Sequence, residues 1–349
     1  MRIDDDGVGR GTTVAKTPTS ADVAREAGVS QSTVSYVMSG KRPILEKTRQ
    51  RVEDAIARLT YEPHAGARAL AGHRTSTIAV VMPLRQASGA QRLMTFVEEI
   101  TLAARARDHD VLLVTADEGP AGLRRVAGRS LCDAVVVMEV GSSDERVRLA
   151  RSLALPVVFV GIPDDREGIH CLDFDFAGAG ELLVAELAGL GHDTVDVLGW
   201  GADVVAQDFN YVPRFAEGAR RAAAAHGVEL RWHEPDDERG REAVLDRVLG
   251  GDRARSAAPG LVLTAAIPET LRALSERGLR PGRDVDVVAL ATDAEGEAYG
   301  LTAVPTEPRD VSRRVMERVF ALVDRHGPSA DGAELVPARI VRRGSTRQA

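Results

Sequence analysis

Residues 30–36 read Ser-Gln-Ser-Thr-Val-Ser-Tyr, followed shortly by Gly40-Lys41-Arg42-Pro43. Hydroxyls and a carboxamide crowd into fewer than two helical turns. Their chemistry is hydrogen bonding, with donors and acceptors short enough to meet base edges and phosphate oxygens. Such a set is useful only if a rigid element presents it on one face.

The flanking pattern supplies that element. Val23, Ala24 and Ala27 lie on one side of a first helix, which Ser20 can cap. Gly28 supplies a left-handed stop, and Ser30 caps a second helix running to about Ser39. Val29, Val34, Val37 and Met38 give the second helix an inner stripe. Its other face carries Gln31, Ser32, Ser35 and Tyr36, with Thr33 near the edge. A third helix fits Glu46–Leu59 and turns Val52, Ala55, Ile56 and Leu59 inward. Two helices joined by a tight turn and braced by a third form a helix-turn-helix, whose second helix can enter a major groove. An ordinary three-helix bundle with a polar surface fits the same spacing equally well.

Charge is unevenly spread. Residues 19–75 carry a net +3, whereas 76–349 carry −10. A basic head on an acidic body suits a polyanionic partner at one end only. The chain has no run of 18 apolar residues and no apolar leader in its first 18 residues, where Asp4-Asp5-Asp6 and several glycines stand. Cys132 and Cys171 are isolated, as expected of buried thiols in a reducing cytoplasm. The expected location is therefore cytoplasmic, with no membrane association.

The stretches "DVAREAGVSQSTVSYVMSGK" and "TRQRVEDAIARLTYEPHAGARALAG" closely resemble the DNA-binding head of the lactose/galactose repressor (LacI/GalR) family, without a gap over residues 19–75. The resemblance implies a sequence-specific transcriptional regulator, a repressor, that binds a pseudo-palindromic operator in double-stranded DNA as a homodimer. It implies that Gln31, Ser32 and Tyr36 read bases, while Ser30, Thr33, Ser35, Ser39 and Arg49 hold phosphates. Residues 63–75 correspond to a hinge helix that folds on the operator. Its Leu70 matches a minor-groove wedge and Arg68 lies near phosphate. The chain also departs from the family. Tyr36 stands where an Arg is frequent, Leu45 where a capping Ser is usual, Thr60 where Gly or Asn closes the third helix, and His64 where Asn precedes the hinge.

Beyond Arg74 the pattern changes. Apolar strands are expected at 77–84, 111–116, 133–140, 156–162, 194–200, 260–266 and 286–292. Helical stretches are expected around 92–107, 143–153, 176–190, 213–226, 241–250 and 268–278. Buried strands alternating with helices indicate doubly wound parallel sheets. There are too many strands for one unit, which predicts two subdomains: about 76–175 with 304–333, and about 176–303 with 334–346. "LGHDTVDVLG" (190–199) and "PARIVRRGST" (337–346) resemble the periplasmic-binding-protein-like core of the same family. The whole is thus an all-α head over residues 19–62, a hinge over 63–75, and an α/β core over 76–346, preceded by a disordered tail over 1–18.

Ligands of such folds lie outside the carboxyl ends of the strands, here between the subdomains. The expected lining segments are Pro83–Gln86, Asp117, Glu139, Gly161–Pro163, Asp173–Phe176, Trp200–Asp203, Ala265–Pro268 and Thr292–Asp293. The effector candidates are Asp175, Trp200, Phe209, Tyr211, Arg214 and Asp293. The three aromatics can stack on a sugar face or another planar effector in a chain that is only 4% aromatic. Ala265-Ala266 replaces a frequent Asn-Asp, and Ala291 and Thr292 replace a common Asp-Asp, so several polar anchors are missing. That keeps open a core responding to a protein cofactor or to nothing. No nucleophile elbow, phosphate loop or metal-ligand spacing appears. A non-enzyme with no cofactor or metal is expected, controlled by a small-molecule effector, a sugar being the natural class.

Overall fold

The structure is a computed structural model that describes residues 18–39, 42–61, 74–83, 90–250, 258–324 and 332–347. Its contacts divide the chain into two units after Thr75. Residues 62–73, which include the expected hinge contacts Arg68 and Leu70, lie outside the described residues.

The described residues of the first unit form three helices: α1 (Ser20–Ala27), α2 (Gln31–Ser39) and α3 (Glu46–Leu59). The cap of α1 is Thr19, not Ser20. Thr19 and Asp22 form a reciprocal capping box, which satisfies two orphan donors at once. Gly28 ends the helix at φ 62°, and Ser30 caps α2 through the Thr33 N–H at 3.1 Å. Val23, Val34, Val52 and Ala55 are fully buried at the centre, with Val29, Val37, Ile56 and Leu59 packed around them. Met38 departs from the expected stripe and is 40% exposed. Leu45 makes no cap, as its side chain dictates, and Thr60 takes the left-handed conformation at φ 47° despite its branched Cβ.

The second unit contains two parallel sheets. The first has strands β1 (Thr77–Met82), β2 (Asp110–Thr115), β3 (Ala134–Val137), β4 (Val157–Val160), β5 (His170–Phe174) and β11 (Gly332–Val336), in the order β11-β5-β4-β3-β1-β2. The second has β6 (Thr194–Leu198), β7 (Glu229–His233), β8 (Gly260–Leu263), β9 (Asp286–Ala291) and β10 (Thr302–Pro305), in the order β10-β9-β8-β6-β7. In register, Val80 faces Leu113 on one side and Val136 on the other. The central strands are continuous Val, Ile, Leu and Ala runs because both faces are covered by helices.

β5, β7, β10 and β11 were not expected as strands. β7 and β11 are partly exposed edges, which need less apolar surface; β10 is a buried edge of only four residues bounded by Thr302 and Pro305, and β5 is interrupted by the charge of Asp173. Since β10 belongs to the second sheet and β11 to the first, the later crossings fall after Pro305 and after Val336. The expectation placed them near 303 and 334. Between them α13 (Pro308–Val323) packs Val311, Val315, Val319 and Phe320 into the first subdomain. α4 (Ala90–Arg105) and α5 (Gly119–Gly128) cover opposite faces of the first sheet. In the second subdomain α7 (Phe176–Gly189) crosses α9 (Tyr211–His226), which is preceded by the short α8 (Ala202–Val205). The remaining helices are α6 (Glu145–Ala150), α10 (Glu238–Leu249), α11 (Ile267–Glu276) and α12 (Asp293–Tyr299).

The two cysteines are free and buried, and burial pushes the Cys132 thiol up to about 11 and that of Cys171 to about 12. Among the described residues, no helix is long and apolar enough to cross a membrane, and no group of three His, Cys, Asp or Glu could hold a metal ion.

Candidate functional site

The helical unit presents its hydrogen-bonding groups outward. Ser30, Gln31, Ser32 and Ser35 are exposed on α2, and Thr33 and Tyr36 are half-buried. Several of these groups bond one another: the Ser30 hydroxyl lies 2.8 Å from those of Ser32 and Thr33, and Gln31 Nε2 donates to Ser20 Oγ at 2.7 Å. Ser20, released from capping, thus holds the Gln31 side chain. Arg42 lies 5.0 Å above the Tyr36 ring, a cation–π contact that adds a positive group beside the exposed face. Arg49 sits in the first turn of α3 with its side chain about half exposed, 4.0 Å from Glu46. Ser39 ends α2, and its side chain lies outside the described residues. The turn between α1 and α2 is held from behind by Arg51, which donates to the Ala27 carbonyl and, at 3.0 Å, to that of Gly28. Sequence reading gave neither a role, because an Arg in the loop after α2, like Arg42, or on an outer face of α3, like Arg51, normally reads as a solvated charge.

The α/β unit holds a cavity of about 940 Å³ at the carboxyl ends of β3, β4 and β5 in one sheet and β6, β8 and β9 in the other. Glu139, Gly161, Asp173, Trp200, Ala265 and Thr292 line it as expected. Two lining residues are held in the left-handed region, Glu139 at φ 50° and Ala266 at φ 48°. Strain of that kind concentrates where backbone geometry serves a site.

Of the six effector candidates, Trp200 and Tyr211 reach the cavity wall. Their rings lie 5.4 Å apart edge-on, and Tyr211 also meets Phe176 at 5.2 Å. Phe209 does not line the cavity; it stacks behind Tyr211 at 5.7 Å. Arg214 is also behind the wall, where it grips Asp173 at 2.5 Å and the Phe174 carbonyl at 3.3 Å. Asp175 caps α7 through the Gly178 N–H at 2.9 Å, and Asp293 pairs with Arg343 at 2.5 Å, so neither carboxylate belongs to the lining. Asp117 likewise lies away, in a short turn capped by Thr115.

The wall contains residues that strand-end reasoning missed. Phe96 comes from α4, Asp236 and Arg241 from the segment after β7, and Glu307 and Arg309 from the start of α13. Asn210, 3% exposed, also lines it. Among the described lining residues there are seven carboxylates, Glu139, Asp173, Asp203, Asp236, Glu269, Glu295 and Glu307, against two arginines, Arg241 and Arg309. Several are engaged: Glu295 accepts from Thr292 at 2.8 Å, Glu307 from the Asp293 N–H at 3.0 Å, and Arg309 meets Glu99 at 2.8 Å.

Comparison with known proteins agrees with both units. Residues 19–64 match the family model of bacterial regulatory proteins of the lacI family, and residues 184–346 match that of the periplasmic binding protein-like domain. The chain is 27% identical over 346 residues to the HTH-type transcriptional regulator AglR of Rhizobium meliloti (strain 1021), covering 93% of each chain. It is 28% identical over 347 residues to the HTH-type transcriptional regulator CelR of Thermobifida fusca, covering 93% of this chain and 95% of CelR. In fold it is similar to a lac repressor dimer bound to operator and the anti-inducer ONPF, with TM-score 0.76 and 22% identity over 95% of this chain and 100% of that one. A CelR–cellobiose complex matches with TM-score 0.60 and 23% identity, over 94% of this chain and 99% of that one. The chain thus joins a lacI-family DNA-binding domain, over residues 19–64, to a periplasmic binding protein-like domain, over residues 184–346.

Proposed function

We propose that the chain represses transcription as a homodimer, each copy reading one half-site of a pseudo-palindromic operator, under the control of a sugar held in the core cavity. The exposed hydrogen-bonding face of α2, set in a matched helix-turn-helix, carries this reading. Gln31, Ser32 and Tyr36 contact bases, while Ser30, Thr33, Ser35, Ser39, Arg49 and Arg68 hold phosphates. Two-fold symmetry of the protein imposes two-fold symmetry on the site. Leu70 wedges into the central base step from paired hinge helices, which bends the duplex.

The cavity lies between two subdomains joined by three crossings of the chain. A ligand held there favours one subdomain arrangement over another. It lowers operator affinity by as much as it prefers the arrangement that separates the hinge helices. The aromatic wall of Trp200 and Tyr211 suits the apolar face of a sugar ring, and the related CelR has been solved with cellobiose. Action on DNA places the chain in the cytoplasm, and nothing in the mechanism calls on catalysis.

Selection of bound duplexes from a random pool, followed by titration of the winning sequence with and without sugars, tests the reading. A palindromic winner whose affinity falls with one sugar is expected. Equal affinity for the winner and for its scrambled version would overturn it.

A further inference from the structure

Thr19, not Ser20, caps α1, which leaves the Ser20 hydroxyl without the task its position suggests. It takes another. Gln31, the first residue of α2, reaches back across the turn and donates from Nε2 to Ser20 Oγ at 2.7 Å, eleven residues away in the chain. The hydroxyls of Ser30, Ser32 and Thr33, by contrast, bond near neighbours, each pair at 2.8 Å. The Ser20–Gln31 bond therefore ties the start of one helix to the start of the next. A glutamine side chain has much rotamer freedom to lose, so a base contact made by one gains from being fixed before the duplex arrives. The capping box of Thr19 and Asp22 does not depend on the Ser20 side chain.

What that bond leaves over decides what Gln31 can read. One Nε2 hydrogen goes to Ser20. The second hydrogen remains, together with Oε1, which accepts no hydrogen bond among the described residues. They form one donor and one acceptor on a single planar group. Adenine shows the complement in the major groove, an N7 acceptor beside an N6 donor, whereas guanine shows two acceptors. A carboxamide free to turn can present its amino group alone and so satisfy guanine as well. One whose nitrogen is tied back to a neighbouring hydroxyl cannot. We propose that Ser20 is a positioning residue for base reading: it holds the Gln31 carboxamide in one orientation and restricts that side chain to adenine at one symmetric place in each half-site. This rests on the reading of Gln31 as a base contact.

Selection from a random duplex pool with the full, unmodified chain supplies a winning duplex, and copies of it changed at each place in turn give affinity ratios. Ser20→Ala, Ser20→Thr, Gln31→Ala and the double variant of Ser20→Ala with Gln31→Ala are titrated on the same set. Adenine is expected at the one place whose ratio Gln31→Ala lowers, preferred by about tenfold or more in the unmodified chain, as a bidentate pair gives. Ser20→Ala should lower the same ratio about fivefold, the loss of one hydrogen bond, and Ser20→Thr, which keeps the hydroxyl, should retain it. In the Gln31→Ala background, Ser20→Ala should cost the winning duplex no further affinity, since Ser20 acts through Gln31. If Ser20→Ala weakens every duplex alike, Ser20 is a phosphate contact or a structural residue; the proposal is overturned and base reading by Gln31 stands. Additive losses in the double variant, or a base other than adenine at that place, overturn it in the same way. If Gln31→Ala leaves every ratio unchanged, the reading of Gln31 as a base contact falls and the proposal with it.

Discussion

Among the proposed base contacts, Tyr36 is the side chain whose identity most changes what this protein would read. A phenol offers one donor-acceptor group, whereas the guanidinium frequent at this place in the family takes guanine with two parallel bonds. Tyr36→Arg should shift the preferred base at one symmetric position in each half-site, by about 1–3 kcal/mol of discrimination, and a binding-site selection profile measures it. The same substitution removes the ring that Arg42 covers at 5.0 Å. On the wedge role proposed for Leu70, Leu70→Ala should weaken operator binding while leaving random-sequence binding nearly intact. Parallel salt titrations on operator and random duplex separate the two losses. Arg51→Ala leaves the carbonyls of Ala27 and Gly28 short of a donor and should lower the stability of the helical unit by about 1–3 kcal/mol, read from its own melting transition.

Helix α7 meets α9 at a crossing so close that two glycines are obligatory. A Cβ on Gly218 would lie 1.8 Å from the Ala177 carbonyl oxygen, and one on Gly180 would lie 2.3 Å from that of Phe215. Neither backbone atom can give way without moving its helix. Gly218→Ala should therefore cost about 3 kcal/mol or more and lower the melting temperature of the core, as calorimetry would record. Doubly covered strands such as β1, β3, β4 and β9 were legible because continuous apolar runs rich in Val, Ile, Leu and Ala have one plausible use. β7, with exposed Glu229 and Arg231, and β11, with exposed Gly332 and Ala333, were not, because an edge strand of this kind looks like a loop when its single neighbour is unknown. α13 carries a clear apolar stripe, yet its role in returning the chain to the first subdomain follows only from the sheet to which β11 belongs.

The last residues lock the second sheet. Arg347 donates to Asp286 through its backbone N–H at 2.7 Å and its Nε at 2.8 Å, and His192 Nε2 lies 2.8 Å from the same fully buried carboxylate. Burial raises the Asp286 pKa, but the bonds from Arg347 and His192 outweigh it and hold the group below the ordinary carboxylate value. A lowered folded pKa means that the unfolded chain binds the proton more readily. The stabilisation is then complete above the unfolded value of about 4 and is lost as pH falls through the folded one. The melting temperatures of Arg347→Ala and the unmodified chain should differ at pH 7 and converge as pH drops below about 4, which calorimetry over that range checks.

Local pattern alone determined the helical head, the parallel α/β core and the boundary near Thr75, since capping, turn and burial periodicity are properties of neighbouring residues. Tertiary structure decided which polar groups face the cavity. Asp175 and Asp293 sit just past strand ends and Arg214 in the first turn of α9, yet all three are consumed by a helix cap or an ion pair, whereas the residues that do line the cavity arrive from segments far apart in the chain. A side chain's partner is set by distance in space, and sequence spacing encodes that distance only within a helix or a strand.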